Sequence, residues 1–146
     1  MASSTPRGIR NNNPLNIRVS SNNWIGKDKP SKDKNFETFD TMEHGIRAAF
    51  IIIRNYINKK GIRTLNSIIN TWAPANENNT TAYINVVSKL TNIPSYMTLR
   101  FEASLTIVSI LHAMHVVENG GDYVGIKTFM KVYETYFSSD INSSSK

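Results

Sequence analysis

The stretch from 103 to 117 constrains this chain more than any other. It is apolar nearly all round, broken only by Ser104, Thr106, Ser109, His112 and His115. A membrane span needs roughly 18–20 consecutive apolar residues, so the stretch predicts a buried central helix, with the other elements packed around it. Asn119, Gly120 and Gly121 supply a C-terminal stop, and the helix is expected over 101–118. At 146 residues the chain has room for one core of this kind. A single domain is expected over 1–138, followed by a flexible Ser-rich tail over 139–146.

Four further segments carry helical periodicity. One opens at Asp40, with Glu43 three residues on as in a capping box, and places Ile46, Ala49, Phe50, Ile53 and Ile57 on one stripe before Gly61. A second, capped by Thr64, carries Leu65, Ile68, Ile69 and Trp72 up to Pro74. A third starts after Thr80 or Thr81 and runs through Ile84, Val87 and Leu90. The last aligns Ile126, Phe129, Met130, Tyr133 and Phe137. Before residue 40 the text is turn-rich, with short β-compatible pieces at 15–19, 24–25 and 36–39, which predicts a small irregular β lobe. The fold class is therefore mainly α, of the α+β kind, a helical bundle around one apolar helix with a β lobe near the N-terminus.

The formal charge of +6 is unevenly spread: residues 1–63 hold 12 basic and 5 acidic side chains, residues 64–146 hold 5 and 6. A basic first half suits an anionic partner such as nucleic acid, anionic lipid or a cell-wall polymer. Nucleic acid is disfavoured, because Arg7, Arg10, Arg18, Lys27, Lys29, Lys32 and Lys34 are interleaved with Asn and turns, not arrayed along a recognition helix. The absence of cysteine excludes disulfides and thiolate metal sites. The first 14 residues lack the apolar core of a signal peptide, so any export is expected by another route.

One carboxylate stands out. Ile107, Leu111, Met114 and Glu118 step by four, three and four, which puts Glu118 on a stripe that should be buried. The negative end of the helix dipole and partial desolvation both disfavour its charged form, so a raised pKa is expected. A carboxylic acid kept protonated near neutrality is what a glycosidase needs to protonate a leaving oxygen. The bland alternative is that the helix end emerges into solvent and takes Glu118 with it. The other acids have local uses: Asp40 and Glu43 in the capping box, Glu102 in the first turn of the apolar helix, Glu134 beside Lys131. Glu37, expected to alternate outward between Phe36 and Phe39, and Asp122 are the candidates for a second carboxylate.

His44, His112 and His115 do not form a metal site; His112 and His115 share one helix face without a carboxylate at a suitable offset, and they read as core or cleft-wall residues. No phosphate loop or nucleophile elbow is present, and no cofactor is called for. Trp24, Trp72, Tyr83 and Tyr96 offer flat ring faces that suit a saccharide, with core packing as the alternative. Trp24, in a polar lobe, is the better groove candidate, and Trp72 belongs more to the core. The sequons at 78–80 and 79–81 read as loop and cap chemistry.

RGIRNNNPLNIR at 7–18, WIG at 24–26, Phe36, Phe39, Asp40 and GIRA at 45–48 resemble bacteriophage virion-associated proteins with a lysozyme-like or lytic transglycosylase-like domain. So do Ile69, WAP at 72–74, Glu77, Asn78, Thr80, Tyr83, Ile84 and ENG at 118–120, and the likeness spans residues 7–123. Leu15 departs from the glycine of the family's NNPGNIR. In bacterial glucosaminidases and soluble lytic transglycosylases the helix ending in the catalytic Glu precedes the Asn-rich element, whereas here it follows. The resemblance therefore implies a circularly permuted lysozyme-like domain, Glu118 as the catalytic acid, and substrate contacts from Asn13, Asn16, Trp24, Trp72 and Tyr83. It implies a peptidoglycan glycosidase, of the lytic transglycosylase or muramidase type, acting on the β-1,4 bond between N-acetylmuramic acid and N-acetylglucosamine. It would work in a phage virion or the host envelope, with the glycan strand and other virion proteins as partners. The alternative is a non-catalytic virion or wall-binding module that retains the fold.

Overall fold

In the computed structural model, which describes residues 5–76 and 78–144, six helices follow one another: α1 (Arg7–Arg10), α2 (Met42–Lys59), α3 (Leu65–Trp72), α4 (Thr80–Thr91), α5 (Ser104–Asn119) and α6 (Ile126–Ser144). The protein is mainly helical. Helix α5 packs against α1, α4 and α6; α2 lies on α6, and α3 on α4. Among the described residues, no helix is long and apolar enough to cross a membrane.

The helices form where periodicity and caps agree. All five apolar positions of the α2 stripe, from Ile46 to Ile57, are buried. Its N-cap is Thr41, whose hydroxyl accepts from the His44 amide at 3.2 Å, and Asp40 instead holds His44 Nδ1 at 2.6 Å. A hydroxyl one residue later reaches the free amide of the first turn equally well, so the N-cap expected at Asp40 falls at Thr41, without the reciprocal bond of a capping box. Thr64 does cap α3, in a reciprocal pair with Ser67. Asn79 caps α4 through Ala82, and Thr80 donates to the Ala73 carbonyl at 2.5 Å, which accounts for both sequons.

Helix α5 begins at Ser104, three residues later than expected, so Glu102 lies ahead of it and pairs with Arg100 at 3.1 Å. Gly120, with φ of 73°, closes it in the left-handed conformation. Helix α6 runs on to Ser144, into the stretch read as a tail; residues 145 and 146 lie outside the described residues. Its buried face is Phe129, Val132, Tyr133 and Phe137, while Ile126 is exposed. Phe50, Phe101, Tyr133 and Phe137 interlock with ring centroids 5.4–6.4 Å apart, several edge to face, and the Tyr133 hydroxyl donates to the Phe101 carbonyl.

The N-terminal segment is not the β lobe expected from its composition. Among the described residues it has only isolated antiparallel bridges, Arg18 with Phe36 and Lys27 with Phe39, plus the single helical turn α1. Side chains replace the missing ladder. Asn13, fully buried, donates from Nδ2 to the carbonyls of Ile17 and Glu37 at 2.9 Å and accepts from the Ile17 amide at 2.9 Å. Asn12 donates to the Phe39 carbonyl at 3.0 Å. Its own carbonyl lies so close to α2 that a Cβ on Gly45 would stand 1.9 Å from it, so only glycine lets this loop dock. The residues of the loop with positive φ are Asn12 and Asn16, so position 15 makes no demand for glycine, and Leu15 fills the core instead.

Candidate functional site

Glu118 occupies the last turn of α5, half-buried, and its two carboxylate oxygens face different parts of the chain. Oε1 accepts from Asn16 Nδ2 at 2.8 Å, and Oε2 from the Tyr83 hydroxyl at 2.9 Å. Asn16 is brought there by its left-handed backbone, with φ of 55°, at the end of the N-terminal loop. Tyr83 comes from the first turn of α4, and its ring is buried against α5. The loop is tied to the helix by Asn119, whose buried amide donates to the Pro14 and His115 carbonyls, both at 2.8 Å.

Burial pushes the Glu118 carboxyl above its ordinary pKa, and this outweighs the opposing hydrogen bonds from Asn16 and Tyr83 and the charge of Arg18. The Tyr83 hydroxyl is pushed up as well, by burial first and by the neighbouring carboxylate second. Among the described residues the site therefore joins one reluctant carboxylate to two donors. When Glu118 holds its proton, the Tyr83 hydroxyl can donate to the Met114 carbonyl, 3.5 Å away, and accept from the Glu118 carboxyl.

The carboxyl stands at the junction of two cavities. One, of about 440 Å³, is walled by Asn16, Arg18, Phe36, Trp72 and Pro74; the other, of about 410 Å³, by Asn79, Tyr83, Val86 and Val117. Glu118 and Asn78 border both, so the acid lies along an open cleft and not at its closed end. Trp72 shows its ring to the first cavity and donates Nε1–H to the Leu15 carbonyl at 3.3 Å. It is a wall residue more than the core residue expected.

The structure separates the remaining sequence candidates. Asn13 is engaged inside the N-terminal loop and does not reach the cleft. Glu37 is 1% exposed, ion-paired to Lys27 at 3.1 Å and hydrogen-bonded to the Ser20 amide, because without a regular strand the expected alternation does not hold. Asp122 lies beyond the end of α5, where it meets His112 at 3.1 Å and His115 at 3.9 Å. Neither acid lines the Glu118 cleft, and Glu77 is outside the described residues. Trp24 borders a third cavity, separate from the one around Glu118.

His112 and His115 thus do have a carboxylate neighbour, which the loop after α5 brings back to them. His112, His115 and Asp122 offer ligand atoms within 4.8 Å of one another, the group of metal-ligand character found among the described residues. The His115 Nδ1–H donates to the His112 carbonyl at 2.8 Å, so Nε2 carries the lone pair, and that lone pair accepts from the amides of Tyr123 and Val124 at 3.1 and 3.3 Å. The group already has a use, as a clasp fastening the chain beyond Gly121 to α5.

Much of the basic surplus is consumed within the fold. Arg7 makes a two-pronged pair with Asp33 at 2.6 and 2.7 Å and lies over the Phe36 ring, which holds the Asp33 carboxyl well below the usual range. Arg18, also over Phe36, is the arginine of the basic cluster that borders the cleft. Asn119 and Gly8 escaped the sequence reading. A Cβ on Gly8 would stand 2.8 Å from both Asn16 Oδ1 and Asn119 Oδ1, so Gly8 packs beneath Asn16, which binds the acid, and Asn119, which ties the loop to α5. The signal for Asn119 was its place one turn beyond buried His115 on the same helix face.

No family model matches the chain. Over 134 residues it is 40% identical to "Protein P5" of Pseudoalteromonas phage PM2, a match covering 90% of this chain and 82% of that protein.

Proposed function

We propose that this chain, which belongs to the family of protein P5 of Pseudoalteromonas phage PM2, is a peptidoglycan glycosidase with Glu118 as its acid. The observation that carries the reading is the Glu118 carboxyl, desolvated enough to raise its pKa yet open to a cleft that continues on both sides of it. The protonated carboxyl would give its proton to the glycosidic oxygen as the C1–O bond breaks, leaving an oxocarbenium-like sugar. The carboxylate so formed is stabilised by Asn16 and Tyr83 and then takes the proton of the attacking hydroxyl.

Two attackers are open. Water gives hydrolysis, for which a second carboxylate normally orients the nucleophile. The sugar's own 6-hydroxyl gives an anhydro product and needs no such partner. Among the described residues, Glu37 and Asp122 are engaged elsewhere, which favours the lytic transglycosylase route. A circularly permuted lysozyme-like arrangement agrees with the late position of the acid-bearing helix. A phage virion is the setting that the phage relative supports, and action at the host envelope follows from the proposed substrate. The chemistry requires no metal or cofactor.

Glu118→Gln is expected to abolish release of soluble fragments from purified cell walls while the protein stays folded. Undiminished release would overturn the assignment. Mass spectrometry of the fragments then separates anhydro ends from reducing ends.

A non-catalytic virion or wall-binding module is the second reading, favoured by the lysines at 29, 32 and 34, which the fold leaves exposed. It requires wall pull-down that survives Glu118→Gln, and no fragment release by the wild type.

A further inference from the structure

The cavity bordered by Trp24 is separate from the acid's cleft but shares a wall with it. Ile52 and Tyr56, on one face of α2, line both the Glu118 cleft and this third cavity of about 560 Å³. A substituent on a polymer lying over Glu118 therefore has only the Ile52–Tyr56 wall between it and this cavity.

Its chemistry differs from that of the cleft. Asn22, Asn23 and Asn55 contribute three side-chain amides and Lys60 an ammonium, with Trp24 and Tyr56 as aromatic walls and no acid among the lining residues. The side chains of Asn23 and Asn55 make no hydrogen bond within the described residues, and the Trp24 indole N–H has no partner. Lys60 has no carboxylate partner there either; its ammonium lies 5.8 Å from the centre of the Tyr56 ring. A donor-rich cavity with one uncompensated positive charge suits a ligand that is rich in carbonyls and carries a carboxylate.

We propose that this cavity binds the peptide substituent of the same peptidoglycan strand, with its carboxylate on Lys60 and its amide carbonyls on the asparagines. The proposal rests on the glycosidase reading for the identity of the polymer. A strand stripped by an amidase keeps a lactyl carboxylate against each N-acetylmuramic ring but lacks the run of peptide amides and the carboxylates at the far end of the stem, which are the groups that reach beyond the sugar chain to Asn55 and Lys60. The cavity would thus select glycan strands that still bear peptides over strands that have been stripped of them.

The test uses the full chain and two readouts. The chain has two tryptophans, so Trp72→Phe leaves Trp24 as the single fluorophore beside the cavity. Titration of that variant with a free stem tetrapeptide is expected to shift the Trp24 emission, and adding Lys60→Met should weaken the response about tenfold, as loss of one charge-assisted contact implies. In the wild-type background, kcat/KM for peptide-bearing strands divided by that for amidase-stripped strands should fall about tenfold on Lys60→Met or Asn55→Ala, through KM. No Trp24 response to millimolar peptide, or a response and a ratio indifferent to Lys60→Met, overturns the proposal. Failure of the glycosidase reading is distinguishable: neither strand type is then cut, while the tetrapeptide still shifts Trp24 and the shift still depends on Lys60.

Discussion

Asn16 donates its side-chain amide to Glu118 Oε1 at 2.8 Å across 102 positions of sequence. The N-terminal loop and the end of α5 are thereby parts of one site, and the ionisation of the acid depends on a residue of the opposite half of the chain.

Asn16→Gly keeps the left-handed backbone and removes only the donor. The Asn16 bond favours the carboxylate form, so its loss raises the Glu118 pKa further. The alkaline limb of the kcat/KM profile on cell-wall glycan is expected to move to higher pH, with the maximum about tenfold to hundredfold lower from the loss of one hydrogen bond to a charge. A pH–rate profile beside that of the wild type checks this.

Glu118 also has a sign in stability. Its folded pKa lies above the unfolded one, so the native state binds more protons between the two and stability falls as pH rises through that window. Glu118→Gln removes this loss. Its melting temperature should exceed that of the wild type at pH 7–8, with the gap closing near pH 4, as thermal scans across pH will show. Gln fits the position, because the Tyr83 hydroxyl can accept from its amide and donate to the Met114 carbonyl.

His115 works in the other direction. Burial, the first of its causes, holds its pKa below the ordinary histidine value. The unfolded chain therefore takes up a proton first as pH falls, and stability declines from about pH 6.5 downward. His115→Leu should flatten that acid limb, and it should cost about 1–3 kcal/mol at neutral pH, because the Tyr123 and Val124 amides lose their acceptor. Urea titrations at pH 5 and pH 8 measure both effects.

Gly8→Ala places a methyl group 2.8 Å from the side-chain oxygens of Asn16 and Asn119 and 2.9 Å from the Asn13 carbonyl. Those groups must shift, and with them the support of the acid. Glycan cleavage is expected to fall at least tenfold, with the aromatic core still folded by near-ultraviolet circular dichroism. Phe50→Ala is the contrasting case: it empties the centre of the aromatic cluster, costs about 3–5 kcal/mol, and should lower denaturation midpoints without changing the pH profile of whatever protein remains folded.

The helices were legible because periodicity and caps are local. The α2 stripe and the Thr64 cap needed only neighbours within four residues. Glu118 was legible for the same reason, since its place on a buried stripe follows from spacing along one helix. What surrounds it was not. Asn13 and Asn16 look equivalent in an asparagine-rich run, and only the positive φ at Asn16 sends its amide toward the acid, while Asn13 replaces strand hydrogen bonds. Glu37 was misplaced because alternation presupposes a strand, and that segment is held by side chains. Asp122 meets His112 and His115 through a loop reversal at two glycines, which no helical offset describes.

Asn16, Tyr83 and Glu118 enter the site in chain order, the acid last. A ribosome therefore finishes the groove-lining loop, α2 and α4 before the proton donor exists, and a truncated product lacking α5 holds no such group. Asn119 then fastens α5 to the Pro14 carbonyl. Completion of the site thus waits on the synthesis of α5, which follows the other residues of the cleft in the chain.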